Sequence, residues 1–459
     1  MKARKAKVGL VCVGRRGERL DVAEKIFLAA RNGLQSVDLE LVNKDTQLIL
    51  DGADILKEAK KIQSLGADCI LYLPATWINA PQIIDVIMEI GLPYGIWGVQ
   101  EPAPFASVGA NVLHGTLDEM GFKHQLFYSD AADEEEVLQE IYYFARAAMV
   151  VKELRFSRLG LIGGKSIGAY TTAADPLQIK KIFGVEIEHI DQLVLLEEAR
   201  AVDDDTAREL LQKFKSEHGM IDAPEETMLR SMKVLAALKK IFKDYSLDYA
   251  TVKCLGEFIN TYVSCCAAVS EMNNSGVVVA CQCNLNCTLS MQMFNLLSDE
   301  GSIMADFNVI YKKSRIAMMI NCGTMATNMA VDKSKVNWAQ QYAYMCAARW
   351  DETKDEVRSA RGICPTFCAK PGKVTFGTLG RINGEYVMHI AEGDAFSQPL
   401  EVFKEDKEIW PHAYIQLDCD PKDFYTNIRS NHSVVGYGEL KNELIEICRL
   451  LDIRPIINE

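Results

Sequence analysis

Short apolar runs alternate with stretches of helical spacing through the first half of the chain. Residues 7–13 (KVGLVCV) form a nearly unbroken apolar run that ends at Gly14, and 20–31 repeats its apolar positions at helical intervals before Asn32-Gly33. Residues 37–42 alternate as a strand, 55–65 form an amphipathic helix closed by Gly66, and 68–73 (DCILYL) read as a buried strand. A helix from Pro81, a strand at 93–99 and another at 125–128 continue the alternation, and 134–156 predicts a long helix. The same texture resumes with a strand at 159–163, helices at 193–217 and 225–242, a strand at 250–254 and a helix at 260–272. Alternating strands and helices indicate βα units around mostly parallel sheets. Past about residue 310 the pattern changes to short strands at 314–320, 373–382 and 386–391, followed by a helix at 440–451. Asn383-Gly384 joins two alternating runs, the usual sign of a two-residue hairpin.

The expected fold is therefore α/β: two Rossmann-like, doubly wound domains, 1–155 and 156–312, and a β-rich, barrel-like C-terminal domain, 313–459, with a closing helix. Within the second domain, 277–306 stands out as a strand, a turn at Asn284–Asn286, an apolar helix and a second strand. Gln282 and Asn284 follow the first of these strands and Asp306 ends the second, the place where α/β proteins carry their chemistry.

Composition removes several alternatives. A net charge of −13 and the lack of a basic stripe exclude nucleic acid as the main partner. Residues 272–298 carry no charge over 27 positions, but five asparagines and two glutamines among them predict a buried strand–turn–helix and no membrane span. The basic residues ahead of the first apolar run resemble a leader. That run stops at Arg15-Arg16 with no small-residue cleavage site, and reads as a first strand. Most of the fourteen cysteines sit in apolar contexts, so a reducing compartment, the cytoplasm, is expected. Cys281, Cys283 and Cys287 space as C-x-C-x3-C without a fourth ligand, and read as core packing. Gly164-Lys165-Ser166 follows a strand, but Leu159 stands where a phosphate loop needs glycine, so a tight turn is expected there.

Individual residues stay ambiguous. Asp306 is a metal ligand, a base or a strand-end cap, and His432 a ligand or a hydrogen-bonded structural group. Glu392 and Asp394 read as a hairpin turn. Trp77 and Trp97, at strand ends, suit sugar stacking or the core. Arg15 and Arg16 suit hydroxyl or anion binding, or a solvated loop.

Four motifs, in order, give a resemblance over nearly the whole length: GRRGERLD after the first strand, IWGVQEPA after the fourth, VACQCNLN followed by MAD, and NHSVVGYGELKNEL near the C-terminus. With them the chain resembles the L-fucose isomerase family, within the fucose/arabinose isomerase group. The resemblance implies three domains, a homotrimer or homohexamer with active sites between subunits, and a small carbohydrate as substrate. It implies aldose–ketose interconversion through an enediol, supported by a divalent cation, commonly Mn²⁺. The ligand positions of the family fall on Gln282, Asp306 and His432, and its two proton-shuttling carboxylates on Gln282 and Asp306. Arg16, Trp77 and Asn308 take substrate-binding positions, the first two from a neighbouring subunit.

Where the family carries a glutamate and a nearby aspartate, this chain has Gln282 and Asn284. An amide oxygen is a poor ligand for a hard cation, and an amide is no base. Three accounts stay open: an isomerase with a rebuilt proton shuttle, an isomerase-like protein that runs another sugar or polyol reaction or only binds carbohydrate, or a chain in which the glutamate was exchanged deliberately.

Overall fold

The computed structural model describes residues 4–100, 104–166, 168–340, 362–399 and 410–459; the last three residues of IWGVQEPA lie outside them. The chain divides into two compact units. One comprises Arg4–Glu153 and Ile445–Leu451; the other is built from Leu154–Leu444 and Asp452–Glu459.

The first unit is built on a five-stranded parallel sheet. Its spatial order is Glu40–Leu41, Lys7–Val13, Cys69–Pro74, Tyr94–Val99 and Gln125–Ser129. Three of these strands are buried along almost their whole length, as both faces of a parallel sheet carry helices. The order reverses direction after Lys7–Val13, which puts a topological switch point between it and Cys69–Pro74. The alternating run at 37–42 pairs only over Glu40–Leu41. Asp68 opens the third strand with a fully buried carboxylate. It accepts from Arg4 at 2.7 Å and from the Lys7 backbone N–H at 2.8 Å, and Lys152 lies 3.2 Å away. Removing it orphans the Lys7 donor and takes a buried carboxylate from Arg4, which keeps Glu153, and from Lys152, which keeps the Gly66 and Ala67 carbonyls. Asp68→Ala should therefore destabilise this unit by about 3 kcal/mol, measurable by urea unfolding.

The second unit opens with a four-stranded parallel sheet in the order Val279–Cys281, Tyr249–Val252, Arg158–Ile162 and Glu186–Ile190. The helical stretch expected at 193–217 is two helices, Gln192–Ala201 and Asp204–His218, because the Asp203 side chain caps a new start by accepting from the Thr206 N–H. The helix expected at 260–272 likewise splits into Glu257–Thr261 and Cys266–Asn274.

A seven-stranded, largely antiparallel sheet follows. It runs Gly372–Ile382, His432–Tyr437, Ser302–Tyr311, Ile316–Ile320, His412–Leu417, Glu385–Phe396 and Arg454–Ile457, and the Asn383-Gly384 hairpin pairs its two arms directly. Ser302–Tyr311 departs from the expectation for 277–306: it joins this antiparallel sheet, between Ile316–Ile320 and His432–Tyr437, and continues five residues past Asp306. Antiparallel strands need only one apolar face, so the polarity that begins at Asp306 marks a change of exposure and no strand end.

The helix between, Leu285–Leu297, is buried on nearly every side, which explains why 272–298 carries no charge. Gly436 lets it lie against the antiparallel sheet: a Cβ there would come within 2.1 Å of the Phe294 ring. Among the described residues no helix is long and apolar enough to cross a membrane. The described cysteines form no disulfide; twelve are buried, Cys281, Cys283 and Cys287 among them.

Candidate functional site

The turn between Val279–Cys281 and Leu285–Leu297 is tightly wound. Gln282 (φ 61°) and Cys283 (φ 50°) both adopt left-handed backbone conformations, costing about 1–3 kcal/mol each for residues other than glycine. Asn284 then caps the helix, its Oδ1 accepting from the Cys287 N–H at 3.1 Å. That bond fixes the amide, so Nδ2 must point the other way, and it lies 3.2 Å from Nδ1 of His432.

His432 starts a strand of the antiparallel sheet directly opposite Asp306 in register. Its Nε2 is 3.6 Å from Asp306 Oδ2, with the imidazole 2% and the carboxylate 43% exposed. Asn431 Nδ2 donates to Asp306 Oδ1 at 2.9 Å and also lies 3.5 Å from His432 Nε2, the longer and weaker of its two approaches. An amide N–H on one side and a carboxylate on the other set the tautomer. Nδ1 accepts from Asn284, so the neutral ring carries its proton on Nε2, facing Asp306. Burial lowers the His432 pKa and outweighs the opposing pull of Asp306, which favours the neutral ring.

His389, buried elsewhere in the same sheet, is also lowered by burial. Both rings are neutral in the folded protein at pH values where they take up protons in the unfolded chain. Stability should therefore be complete above the ordinary histidine value of about 6.5 and fall as pH drops below it, by up to about 1.4 kcal/mol per pH unit for each ring. Urea unfolding at pH 7.5 and 5.5 measures this, and His389→Gln should shrink the difference.

Of the residues expected at the site, Asp306 and His432 are brought together. Gln282 lies two residues ahead of the amide that holds His432. Its side chain is 5% exposed, and its Oε1 has no hydrogen-bond partner among the described residues. Asn308 is the extra residue of a β-bulge two positions beyond Asp306 and is exposed. Arg16 and Trp77 belong to the first unit. Arg16 lines a cleft of about 340 Å³ at the switch point with Arg15, Asp51, Asn79 and Gln82, while Trp77 is half-buried and its backbone N–H donates to Pro104. Trp97 is core: fully buried, with its indole N–H on Ser129. Glu392 and Asp394 lie within the long strand Glu385–Phe396, not in a turn, and Asp394 pairs with Lys373 at 2.9 Å.

Sequence reasoning missed Asn431, which holds Asp306, and Asn286, whose Nδ2 donates to Thr171 O while its buried Oδ1 has no partner among the described residues. The contiguous polar run Ser430-Asn431-His432 at a strand start was the available signal for the first.

The donor set fits a hard dication poorly. A cation at Gln282 Oε1, Asp306 and His432 would have one carboxylate, one amide oxygen and an imidazole whose Nε2 bears a proton. Turning that tautomer over sets Nδ1–H against Nδ2–H of Asn284. Elsewhere, His114, Asp118 and His124, and separately Glu217, His218 and Glu271, bring three candidate ligand atoms within 4.8 Å of one another.

Comparison with known proteins gives the setting. Residues 319–458 match the family described as L-fucose isomerase, C-terminal domain. The chain is 20% identical over 456 residues to the sulfoquinovose isomerase of Priestia megaterium (strain ATCC 12872 / QMB1551), covering 96% of this chain and 97% of that protein. It is 20% identical over 401 residues to the sulfoquinovose isomerase of Alkalicoccus urumqiensis (85% and 86%) and 21% identical over 403 residues to that of Clostridium sp. (strain MSTE9) (84% and 85%). The likeness is to sugar isomerases broadly. It does not single out fucose isomerases within that group.

Proposed function

We propose that the protein is a sugar isomerase-type enzyme that interconverts an aldose and a ketose, with Asp306 as the proton carrier and neutral His432 as the donor to the sugar oxygen. The observation that carries this is the pair itself: a half-exposed carboxylate directly across two paired strands from a buried imidazole whose tautomer is set by Asn284. A carboxylate base beside a neutral imidazole is one solution to enediol chemistry that uses no metal. In this reading Asp306 takes the proton from C2 of the open-chain aldose and the C–H electrons form the C1=C2 bond of the enediol. His432 Nε2–H donates to the oxygen at which charge accumulates. Asp306 then returns the proton to C1, while the O2 hydroxyl proton passes to O1, giving the ketose.

Arg16, Trp77 and Asn308 are proposed substrate contacts, with the site completed between subunits of a homotrimer or homohexamer. The family's Mn²⁺-supported version would need Gln282, Asp306 and His432 as ligands, and the amides at 282 and 284 oppose it. Since the relatives are named for sulfoquinovose, that sugar belongs beside pentoses, hexoses and deoxy-sugars in a substrate panel. The test is release of C2 deuterium from labelled aldoses by protein purified without added ions, with and without Mn²⁺. Exchange that persists in a chelator supports the metal-free pair. A second reading, carbohydrate binding without turnover, is favoured by the presence of one carboxylate where the family's shuttle uses two. Sugar binding in calorimetry with no exchange under either condition would establish it over isomerisation.

A further inference from the structure

A second group of metal-ligating side chains lies in the first unit. The helix Ala106–Glu119 carries His114 and Asp118 one turn apart on one face, and His124 stands just ahead of the strand Gln125–Ser129. His124 is nearly buried, its ring parallel to Tyr94. Its Nδ1 lies 2.8 Å from the Phe122 carbonyl, which can only accept, so Nδ1 bears the proton and Nε2 presents a lone pair. His114 Nδ1 is 2.7 Å from that Nε2 and must supply the hydrogen between them. The second nitrogen of a neutral His114 is then also a lone pair, and it faces Asp118 Oδ2 at 3.5 Å; Asp118 Oδ1 lies 3.8 Å from His124 Nε2. With both rings neutral, the hydrogen on His114 Nδ1 lies between the two rings, and the lone pair of His114 Nε2 is left facing a carboxylate. A cation in place of that hydrogen would take His114 Nδ1 and His124 Nε2, and the His114 proton would move to Nε2, beside Asp118.

We propose that His114, Asp118 and His124 form a site for a borderline divalent cation of the Zn²⁺ type. Two imidazole nitrogens and one carboxylate are the donor set that such ions favour over Mg²⁺ or Ca²⁺. The Phe122 carbonyl on His124 Nδ1 supplies the outer hydrogen bond that orients a ligating histidine. Tetrahedral Zn–N bonds would put the two nitrogens about 3.4 Å apart. With His114 Nδ1 as the ligand, that opens its present 2.7 Å from His124 Nε2 by less than 1 Å, a swing available to a side chain that is 33% exposed. Asp118, 61% exposed, leaves the fourth position open to water. The ion would tie the last turn of the helix to the start of the edge strand. This site stands independently of the reading of Asp306 and His432.

The test is Zn²⁺ titrated into chelator-stripped, full-length protein against a chromophoric competitor, compared with His114→Gln and Asp118→Asn. The wild type should take up one equivalent that His114→Gln loses and that Asp118→Asn binds about tenfold or more weakly. Zn²⁺ should raise the melting temperature of the wild type by more than that of either variant. Counting by difference keeps Zn²⁺ held by thiols or by Glu217, His218 and Glu271 out of the comparison. Wild-type stoichiometry and affinity in both variants, or no saturable uptake by the wild type, would overturn the site. A histidine pair that holds only a proton gives the second of these results. Should His114→Gln misfold in far-UV circular dichroism, Asp118→Asn decides alone, since its carboxylate is largely in solvent.

Discussion

Replacing Asp306 by asparagine should lower isomerase turnover by about 10²–10⁴-fold, the range for loss of a positioned general base. The substitution keeps the shape of the side chain, and its amide oxygen can still accept from Asn431, so the strand pairing with His432 should survive. What disappears is the group that accepts the C2 proton in the proposed reaction. The other face of the new amide also points an N–H at His432 Nε2–H, two donors where a donor and an acceptor stood. KM should change much less than kcat, because the loss falls on the transition state. Deuterium wash-out from C2 reads the step directly, and circular dichroism with a melting curve separates it from misfolding. Near-normal turnover in this variant would show that Asp306 is not the proton carrier.

The legibility of this molecule follows burial. Runs such as KVGLVCV and DCILYL are apolar on both faces because their strands are covered twice, and they are recognisable within a residue or two of their ends. The strand holding Asp306 runs past the end that its pattern predicts, because SIMAD turns polar where one face meets solvent. Helix breaks were similarly hidden, since a cap such as Asp203 looks like any other acidic residue until its hydrogen bond is seen. At the site, Asp306, His432 and the amides at 282 and 284 were all visible as residues. Their relation was not. Asn284 and His432 are 148 positions apart, and the proton on His432 is decided by which way one capped amide turns. No property of either residue in the linear sequence contains that information.

That amide gives the sharpest expectation about metal. In the double variant Gln282→Glu, Asn284→Asp, Mn²⁺ affinity should rise by about 10²-fold or more, since each change acts on a different part of the donor set. Aspartate caps a helix as well as asparagine does, so Oδ1 can keep the Cys287 N–H, and a negative charge suits a helix N-terminus. Its other oxygen can only accept, which obliges His432 to carry its proton on Nδ1 and frees Nε2 as a ligand on the side of Asp306. The glutamate adds a second carboxylate where Oε1 of Gln282 is now buried without a partner among the described residues. Without the ion that carboxylate would be buried and unpaired, two positions from the new aspartate, so the variant should melt below the wild type in a chelator and recover on addition of Mn²⁺. The single change Asn284→Asp should deliver part of the gain by tautomer alone. Mn²⁺ titrations followed by electron paramagnetic resonance measure all three proteins on one scale. Equal affinity in the wild type and the double variant would mean that the two amides do not govern the site, and would return Mn²⁺ to the mechanism.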